Sequence, residues 1–124
     1  MTKRIEIKQG CFLNTVKDNI LLEEGFIFDS INVRDEYGKS ALYWALKHQN
    51  RENIKMLLEQ KISLIVFGNY HALTYSIDCN LCDSFIEIAK KKEGKESLFL
   101  FKDLFVKRAK IKNCECIMGY LSTI

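Results

Sequence analysis

The pattern that most constrains this chain is a turn followed by two short amphipathic helices, in residues 35–59. Gly38 suits the turn because glycine readily adopts a positive φ, and Ser40 belongs to the residue types that cap helix N-termini. Helices this short are marginal in water, so each must bury its apolar face against neighbouring helices. The apolar residues that recur at helical spacing are Leu42, Ala45 and Leu46 in the first helix, and Ile54, Leu57 and Leu58 in the second.

This pattern repeats along the chain. One period later, His71, Leu73 and Ser76 stand where Ser40, Leu42 and Ala45 stand in the first copy, and Asn69 stands where Gly38 does. Asparagine tolerates a positive φ better than most residues, so the turn is retained. A weaker copy follows at a slightly longer offset, and we expect its first helix to begin at Ser97 after a turn in residues 93–96. The positions matched in this copy are Val106, Ala109, Met118 and Leu121.

The region before residue 35 lacks the turn signature but has one amphipathic helix. Its apolar residues predict a helix from about Gly10 to Glu24, with Ile20 and Leu21 on the buried face and Gly25 as the C-cap. Residues 1–9 fit a short extended arm or a frayed start. Phe26 to Ser30 read as an insertion of about three residues relative to the repeat. Phe26 and Phe28 either anchor a partner or fold back on this helix.

The two-helix unit resembles the ankyrin repeat, whose pattern is roughly D-x-x-G-x-T-P-L-H-x-A followed by V/I-x-x-L-L. Ser40, Ala41 and Tyr43 replace the family's Thr, Pro and His, and Lys61 replaces the Gly that usually follows the second helix. The resemblance implies an all-α fold, an ankyrin-like α-solenoid with short hairpin loops, in one domain. Its expected parts are a cap or degenerate repeat in 1–34, a clear repeat in 35–66, a second repeat in 67–98 and a divergent C-terminal repeat in 99–124.

Composition indicates a folded protein and favours a cytoplasmic location. There is no run of 18 apolar residues to span a membrane, and the first ten residues do not form a secretory signal. The five cysteines are therefore expected to be reduced thiols. Plentiful Lys, Ile and Asn fit an AT-rich genome. If the source is an intracellular bacterium, the resemblance to secreted ankyrin effectors implies a host protein as target, in the host-cell cytosol.

The net charge of +3 is unevenly distributed. Residues 87–112 carry nine basic and four acidic side chains, whereas residues 1–86 carry ten and eleven. This basic third suggests an alternative function, the binding of nucleic acid or of an acidic protein. Nucleic acid is not favoured because no recognised binding motif accompanies the lysines, and a solvated face is the simpler explanation of them.

The residues do not form an enzymatic motif. Only His48 and His71 are bases near neutral pH, and we expect His71 to bond the backbone at a helix start and His48 to close a helix. Cys79, Cys82, Cys114 and Cys116 leave a zinc site open as an alternative, although C-x-C spacing is uncommon in such sites and packed thiols are the simpler reading. We therefore expect neither a cofactor nor catalysis.

The resemblance implies a function in binding another protein, whose identity the sequence does not reveal. In that family, the turn and the first helix of each repeat present exposed residues to the partner. Trp44 either anchors the partner or packs against Tyr75 of the next repeat. The candidate partner-binding residues are Glu36, Tyr37, Lys39, Trp44, Lys47 and His48 in the clear repeat, and Phe67, Tyr70 and Asp78 in the next.

Overall fold

A computed structural model describes residues 5–7, 9–22, 26–28 and 31–124, with side chains from residue 13 to 22 and from 31 onward. The chain divides into two compact units, Met1–Asn69 and Tyr70–Ile124, here called unit 1 and unit 2. Seven helices lie in the described residues, which confirms the predicted helical class. None of the helices in this part of the chain is long and apolar enough to cross a membrane.

Unit 1 contains three helices and three short strands among its described residues. The helices are α1 (Gln9–Lys17), α2 (Ala41–His48) and α3 (Arg51–Glu59), and the strands are β1 (Ile5–Ile7), β2 (Phe26–Phe28) and β3 (Ile65–Phe67). β1 and β2 pair in parallel, with Ile5 opposite Phe26. This pairing is not a hairpin, because it joins segments that are distant in sequence.

Unit 2 contains one short strand and four helices. They are β4 (Tyr70–His71), α4 (Ala72–Asp78), α5 (Cys82–Lys90), α6 (Lys92–Ile111) and α7 (Glu115–Ser122). α4 packs against α5 and α6, and α7 packs against α5 and α6. α6 is interrupted at Phe101, whose φ of −125° and ψ of 23° are not helical.

Two helix starts follow the capping residues predicted from the sequence. The Ser40 side chain accepts a hydrogen bond from the Tyr43 N–H at 3.4 Å, and Nδ1 of His71 accepts one from the Leu73 N–H at 3.0 Å. Both roles confirm the predictions for these two residues. Burial lowers the pKa of His71 below its ordinary value, so the neutral ring that can accept this bond is favoured.

The apolar core matches the predicted helix faces. Leu57 has no exposed surface, which confirms its prediction as a core residue. The largest fully buried side chains include Leu42, Leu46, Ile54 and Ile62 in unit 1, and Leu73, Ile77, Phe85, Ile88, Ile117 and Leu121 in unit 2.

Two predicted helix boundaries are wrong. α1 ends at Lys17 rather than at Glu24, and Ile20 and Leu21 are 56% and 55% exposed. The chain leaves the helix because Asn19 adopts a φ of 59°, which right-handed helix does not allow. The Gly25 C-cap, and the side chains of the expected insertion at residues 26–30, lie outside the described residues.

The second wrong boundary is the start of α6. It begins at Lys92, directly after α5, so residues 93–96 are helical rather than a turn. Gly94 explains this close succession, since a Cβ built on it would lie 1.9 Å from the Ile88 carbonyl oxygen. The missing side chain lets the first turn of α6 rest against the backbone of α5.

The expectation that the cysteines are reduced is also wrong for one pair. Cys82 at the start of α5 and Cys116 in α7 form a disulfide, with their Cα atoms 6.0 Å apart. Cys114 is a buried thiol whose Sγ donates to the Ile77 carbonyl oxygen at 3.1 Å, and Cys79 is an exposed thiol. No group of three or more potential metal ligands forms among the described residues.

Candidate functional site: an aromatic and lysine surface

The turn before α2 is built by Asp35. Its Oδ1 accepts hydrogen bonds from the N–H groups of Tyr37 and Lys39, at 2.9 and 3.0 Å, and Gly38 adopts the φ of +78° that this turn requires. Asp side chains commonly nucleate turns in this way. The Asp and Gly three residues apart therefore fix where Tyr37 and Lys39 emerge.

Asp35 also fixes the indole of Trp44. The Trp44 Nε1–H donates to Oδ2 of Asp35 at 3.0 Å, and the Lys17 ammonium lies 3.9 Å from the same oxygen. Burial acts to raise the pKa of Asp35, but the hydrogen bonds from Lys39, Trp44 and Tyr37 and the charge of Lys17 outweigh it. The pKa therefore lies below its usual value, and the carboxylate stays ionised at neutral pH.

Three lysines surround the aromatic rings beside this turn. The Lys39 Nζ lies 4.9 Å from the centre of the Tyr43 ring, and the Nζ atoms of Lys17 and Lys47 each lie 5.1 Å from the Trp44 ring. Tyr43 and Trp44 pack edge to face, with centroids 5.2 Å apart. These distances lie within the range of cation–π attraction. The lysines are thus held over a shared aromatic platform.

Two further aromatic side chains extend this platform into solvent. Tyr37 is 65% exposed and Phe67 is 37% exposed. Phe67 packs edge to face against Tyr43 at 6.2 Å, and its backbone bridges that of Lys39. We call this set the aromatic–lysine surface, and it consists of Lys17, Tyr37, Lys39, Tyr43, Trp44, Lys47 and Phe67. It belongs entirely to unit 1.

The structure thus brings five of the nine sequence-predicted site residues together: Tyr37, Lys39, Trp44, Lys47 and Phe67. Glu36 is exposed in the adjoining turn. His48 stacks on Trp44 at 6.3 Å, and its Nε2 lies 2.7 Å from the Lys17 carbonyl oxygen. His48 therefore holds the backbone that carries Lys17, which is a positioning role beneath the surface.

Tyr70 and Asp78 lie in unit 2 and form a separate network. The Arg108 guanidinium donates to both Asp78 oxygens, at 2.6 and 2.7 Å, and the Tyr70 hydroxyl donates to Oδ2 of Asp78. These hydrogen bonds, first of all those from Arg108, hold the pKa of Asp78 below its usual value, whereas burial and the carboxylate raise the pKa of Tyr70. Both residues stabilise unit 2 through this network.

Sequence reasoning missed Lys17 because its helix lacks the repeat signature. A usable signal was the spacing, since Lys17 precedes His48 by one period of the sequence pattern and the two are in contact. Arg108 was read only as part of the basic third. It pairs with Asp78, which lies nearly one period earlier, so opposite charges at the repeat spacing were a signal of the same kind.

The geometry of this surface suits recognition of another molecule. Three ammonium groups lie beside exposed aromatic area, a combination that can contact acidic and apolar side chains at once. No family model matches the chain, and neither a curated protein nor a solved structure is significantly similar to it.

Proposed function

We propose that this chain is a non-enzymatic protein-interaction module built of ankyrin-like helical repeats, and that the aromatic–lysine surface of unit 1 binds its protein partner. The observation that carries the proposal is the partly exposed aromatic platform with three lysines held over it. Aromatic side chains dominate interface energetics, and ordered side chains lose little entropy on binding. The proposal includes the arrangement of the helices as an ankyrin-like α-solenoid.

Support for repeats comes from a helix-ending turn that recurs along the described chain. Asn19, Gln49, Asn80 and Asn113 follow α1, α2, α4 and α6, with φ values of 59°, 54°, 54° and 61°. At each turn this residue's N–H bonds the carbonyl three positions earlier, and the next N–H bonds the carbonyl five positions before its own. These four residues are spaced along the chain much as the copies of the sequence pattern are. Lys61, which replaces the family's Gly after the second helix, makes the same turn after α3 with a φ of 58°.

Hydrogen bonds within unit 1 follow the same spacing. The Asn53 Oδ1 accepts from the Leu22 N–H at 2.7 Å, and the Asn32 Oδ1 accepts from the Ser63 N–H at 2.8 Å. Each pair is 31 residues apart, as are three further pairs in this unit. Residues one period apart are therefore neighbours, as in a stack of repeats.

The test compares how much of the partner protein is captured by the parent chain and by variants of this surface. A Tyr37→Ala, Lys47→Ala, Phe67→Ala triple variant removes two exposed rings and one exposed ammonium, while the buried helix faces stay intact. We expect a melting temperature within a few degrees of the parent, because surface substitutions usually cost little, and loss of the captured protein. Tyr70 is kept because it bonds Asp78 within unit 2.

A Lys90→Gln, Lys91→Gln, Lys92→Gln variant is the matched control and tests the alternative site in residues 87–112. Retained capture by the surface variant, with loss by the lysine variant, would overturn the proposal. One cation of that alternative site, Arg108, is already paired with Asp78 and so contributes less to binding an acidic partner. Nucleic-acid binding would also show a steep salt dependence, which an aromatic platform does not require.

We also propose a cytoplasmic location, which the composition of the chain favours. A cytoplasmic location requires Cys82 and Cys116 to be reduced in the cell, because disulfides are rare in the cytosol. Rapid alkylation of thiols in intact cells, followed by mass spectrometry, tests it. An alkylated pair supports the cytoplasmic proposal, and a pair that is alkylated only after reduction contradicts it.

A further inference from the structure

Unit 2 carries a cluster of exposed apolar side chains on α6. Phe99 is 88% exposed, Leu100 is 69% exposed and Leu104 is 64% exposed. Single exposed apolar residues are ordinary on protein surfaces, but contiguous ones mark interaction sites. These three side chains and the half-exposed Phe101 lie close together in the sequence of one helix.

The cluster lines a groove of about 820 Å³. The non-helical backbone at Phe101 divides α6 here, so residues on either side of it both reach the groove. Tyr120 of α7, Ile124 and Ala89 of α5 complete the walls. The site is therefore concave, with walls from three helices of unit 2.

The charges around this groove are mainly positive. Lys95 and Lys102 line it together with one acid, Asp103, and the Lys102 ammonium donates to the Ile124 carbonyl oxygen within the same wall. α6 carries six basic and three acidic side chains, and of its basic residues Arg108 is neutralised by Asp78. A basic rim around an apolar floor is complementary to an occupant with apolar anchors and acidic flanks.

We propose that this α6 groove binds an acidic amphipathic helix of a protein partner. A helix in a groove presents apolar anchors at i, i+3, i+4 and i+7, which suits a floor formed by Phe99, Leu100 and Leu104. A second copy of the chain fits less well because it brings the same basic rim against itself. A lipid surface fits less well because the apolar residues line a concavity. The proposal uses a surface in unit 2 and does not rest on the proposed function of unit 1.

A designed peptide of about 16 residues tests the proposal, since shorter helices are marginal in water. It carries leucines at the anchor spacing and glutamates on the flanks, with a fluorescein label for anisotropy titration against the full chain. A scrambled peptide of equal composition and a version with lysine flanks are the comparisons. We expect saturable binding of the acidic amphipathic peptide, at least about tenfold tighter than either comparison.

Variants of α6 locate the site. Leu104→Ser should lower the affinity for the peptide about tenfold, since it removes one apolar side chain from the groove floor. Ile111→Ser is the matched control, because Ile111 is also exposed on α6, at 73%, but does not line the groove. Lys95→Gln should weaken binding and reduce its salt dependence, because Lys95 is exposed and lines the groove, and Lys110→Gln should do neither. Because these side chains are exposed, the substitutions should change the stability of the fold only slightly. A thermal melt of each variant checks this.

Several results overturn the proposal. Equal binding of the scrambled peptide, or equal effects of Leu104→Ser and Ile111→Ser, removes the groove as the site. Dimerisation by analytical ultracentrifugation that Leu104→Ser abolishes makes the occupant a second copy. Binding to vesicles of phosphatidylserine and phosphatidylcholine, with no preference among the peptides, makes it a membrane surface. A surface variant of unit 1 should leave the peptide affinity unchanged, so the two proposals fail separately.

Discussion

The most distinctive contacts inside unit 1 differ in kind from those inside unit 2. In unit 1, polar side chains bond the backbone one period away, as Asn53 bonds both Leu22 and Ile20. In unit 2, side chains bond each other across helices, through the Cys82–Cys116 disulfide and the pair of Asp78 and Arg108. Their surfaces differ as well, since unit 1 holds lysines over aromatic rings and unit 2 exposes a groove of apolar side chains.

This difference suggests what each arrangement has to stabilise. The segment after α1 in unit 1 is irregular, so its backbone groups need partners from elsewhere, and buried Asn53 supplies them. Unit 2 runs largely from helix to helix, so most of its backbone groups are bonded within the helices, and its main need is to fix the helices against one another.

Each unit has an apolar core of its own, and loss of core packing should have the largest effect. Leu57 in α3 and Ile88 in α5 occupy corresponding positions, and neither has exposed surface. Leu57→Ala and Ile88→Ala should each lower the free energy of unfolding by about 2–5 kcal/mol. Urea denaturation followed by circular dichroism measures this. A loss below about 0.5 kcal/mol for either variant would mean that its helix is not packed as described.

Loss of the disulfide should distinguish unit 2. The bond joins cysteines at a sequence separation of 34, so a Cys82→Ser, Cys116→Ser variant should lose about 2–4 kcal/mol. Hydrogen exchange read by mass spectrometry should show the loss in peptides of α5 and α7. Cys79→Ser is the matched control, since this thiol is exposed and unbonded to another cysteine. Equal exchange in the control and the double variant would contradict a stabilising bond.

Asn53 should distinguish unit 1. Asn53→Leu leaves the Leu22 N–H and the Ile20 carbonyl without their partner, and should cost about 1–3 kcal/mol. Ser84→Ala, at the corresponding position one period later in unit 2, is the comparison and should cost less. Faster exchange in peptides covering residues 18–22 would locate the effect. A larger loss from Ser84→Ala would reverse the distinction between the units.

The ion pair of unit 2 should have the smallest effect, visible as a pH dependence. The folded pKa of Asp78 lies below its ordinary 3.8, so the carboxylate adds stability above that pH and loses it as the pH falls through the folded pKa. Asp78→Asn should therefore melt lower than the parent at pH 7, and the gap should narrow below pH 3.8. A gap that stays constant with pH would contradict this role.

Much of the helical pattern could be predicted from sequence because it depends on local spacing. Ser40, Gly38 and the face formed by Leu42 and Leu57 act through their own helix or turn. The errors have a different origin. α1 ends early because Asn19 turns the chain and Asn53, one period away, bonds the segment that follows, and α6 starts early because Gly94 rests on Ile88. Neither contact has a local signature.

The candidate site shows the same division. Tyr37, Lys39 and Trp44 are close in sequence and could be predicted together from one turn. Tyr70 and Asp78 were expected to serve a partner by the same positional logic, yet Arg108 engages the carboxylate. A single sequence shows where a side chain lies along an element, but not which distant residue it contacts in the folded chain.

Site-specific photocrosslinking tests the central claim, that the aromatic–lysine surface binds the protein partner, most directly. A benzoylphenylalanine is placed at Tyr37, at Phe67, or at Glu59, which is exposed at the end of α3. The account predicts that the first two positions crosslink the same native protein, and that Glu59 does not. Equal yields at all three positions, or a crosslink from a probe at Leu104 with none at Tyr37 and Phe67, would contradict it.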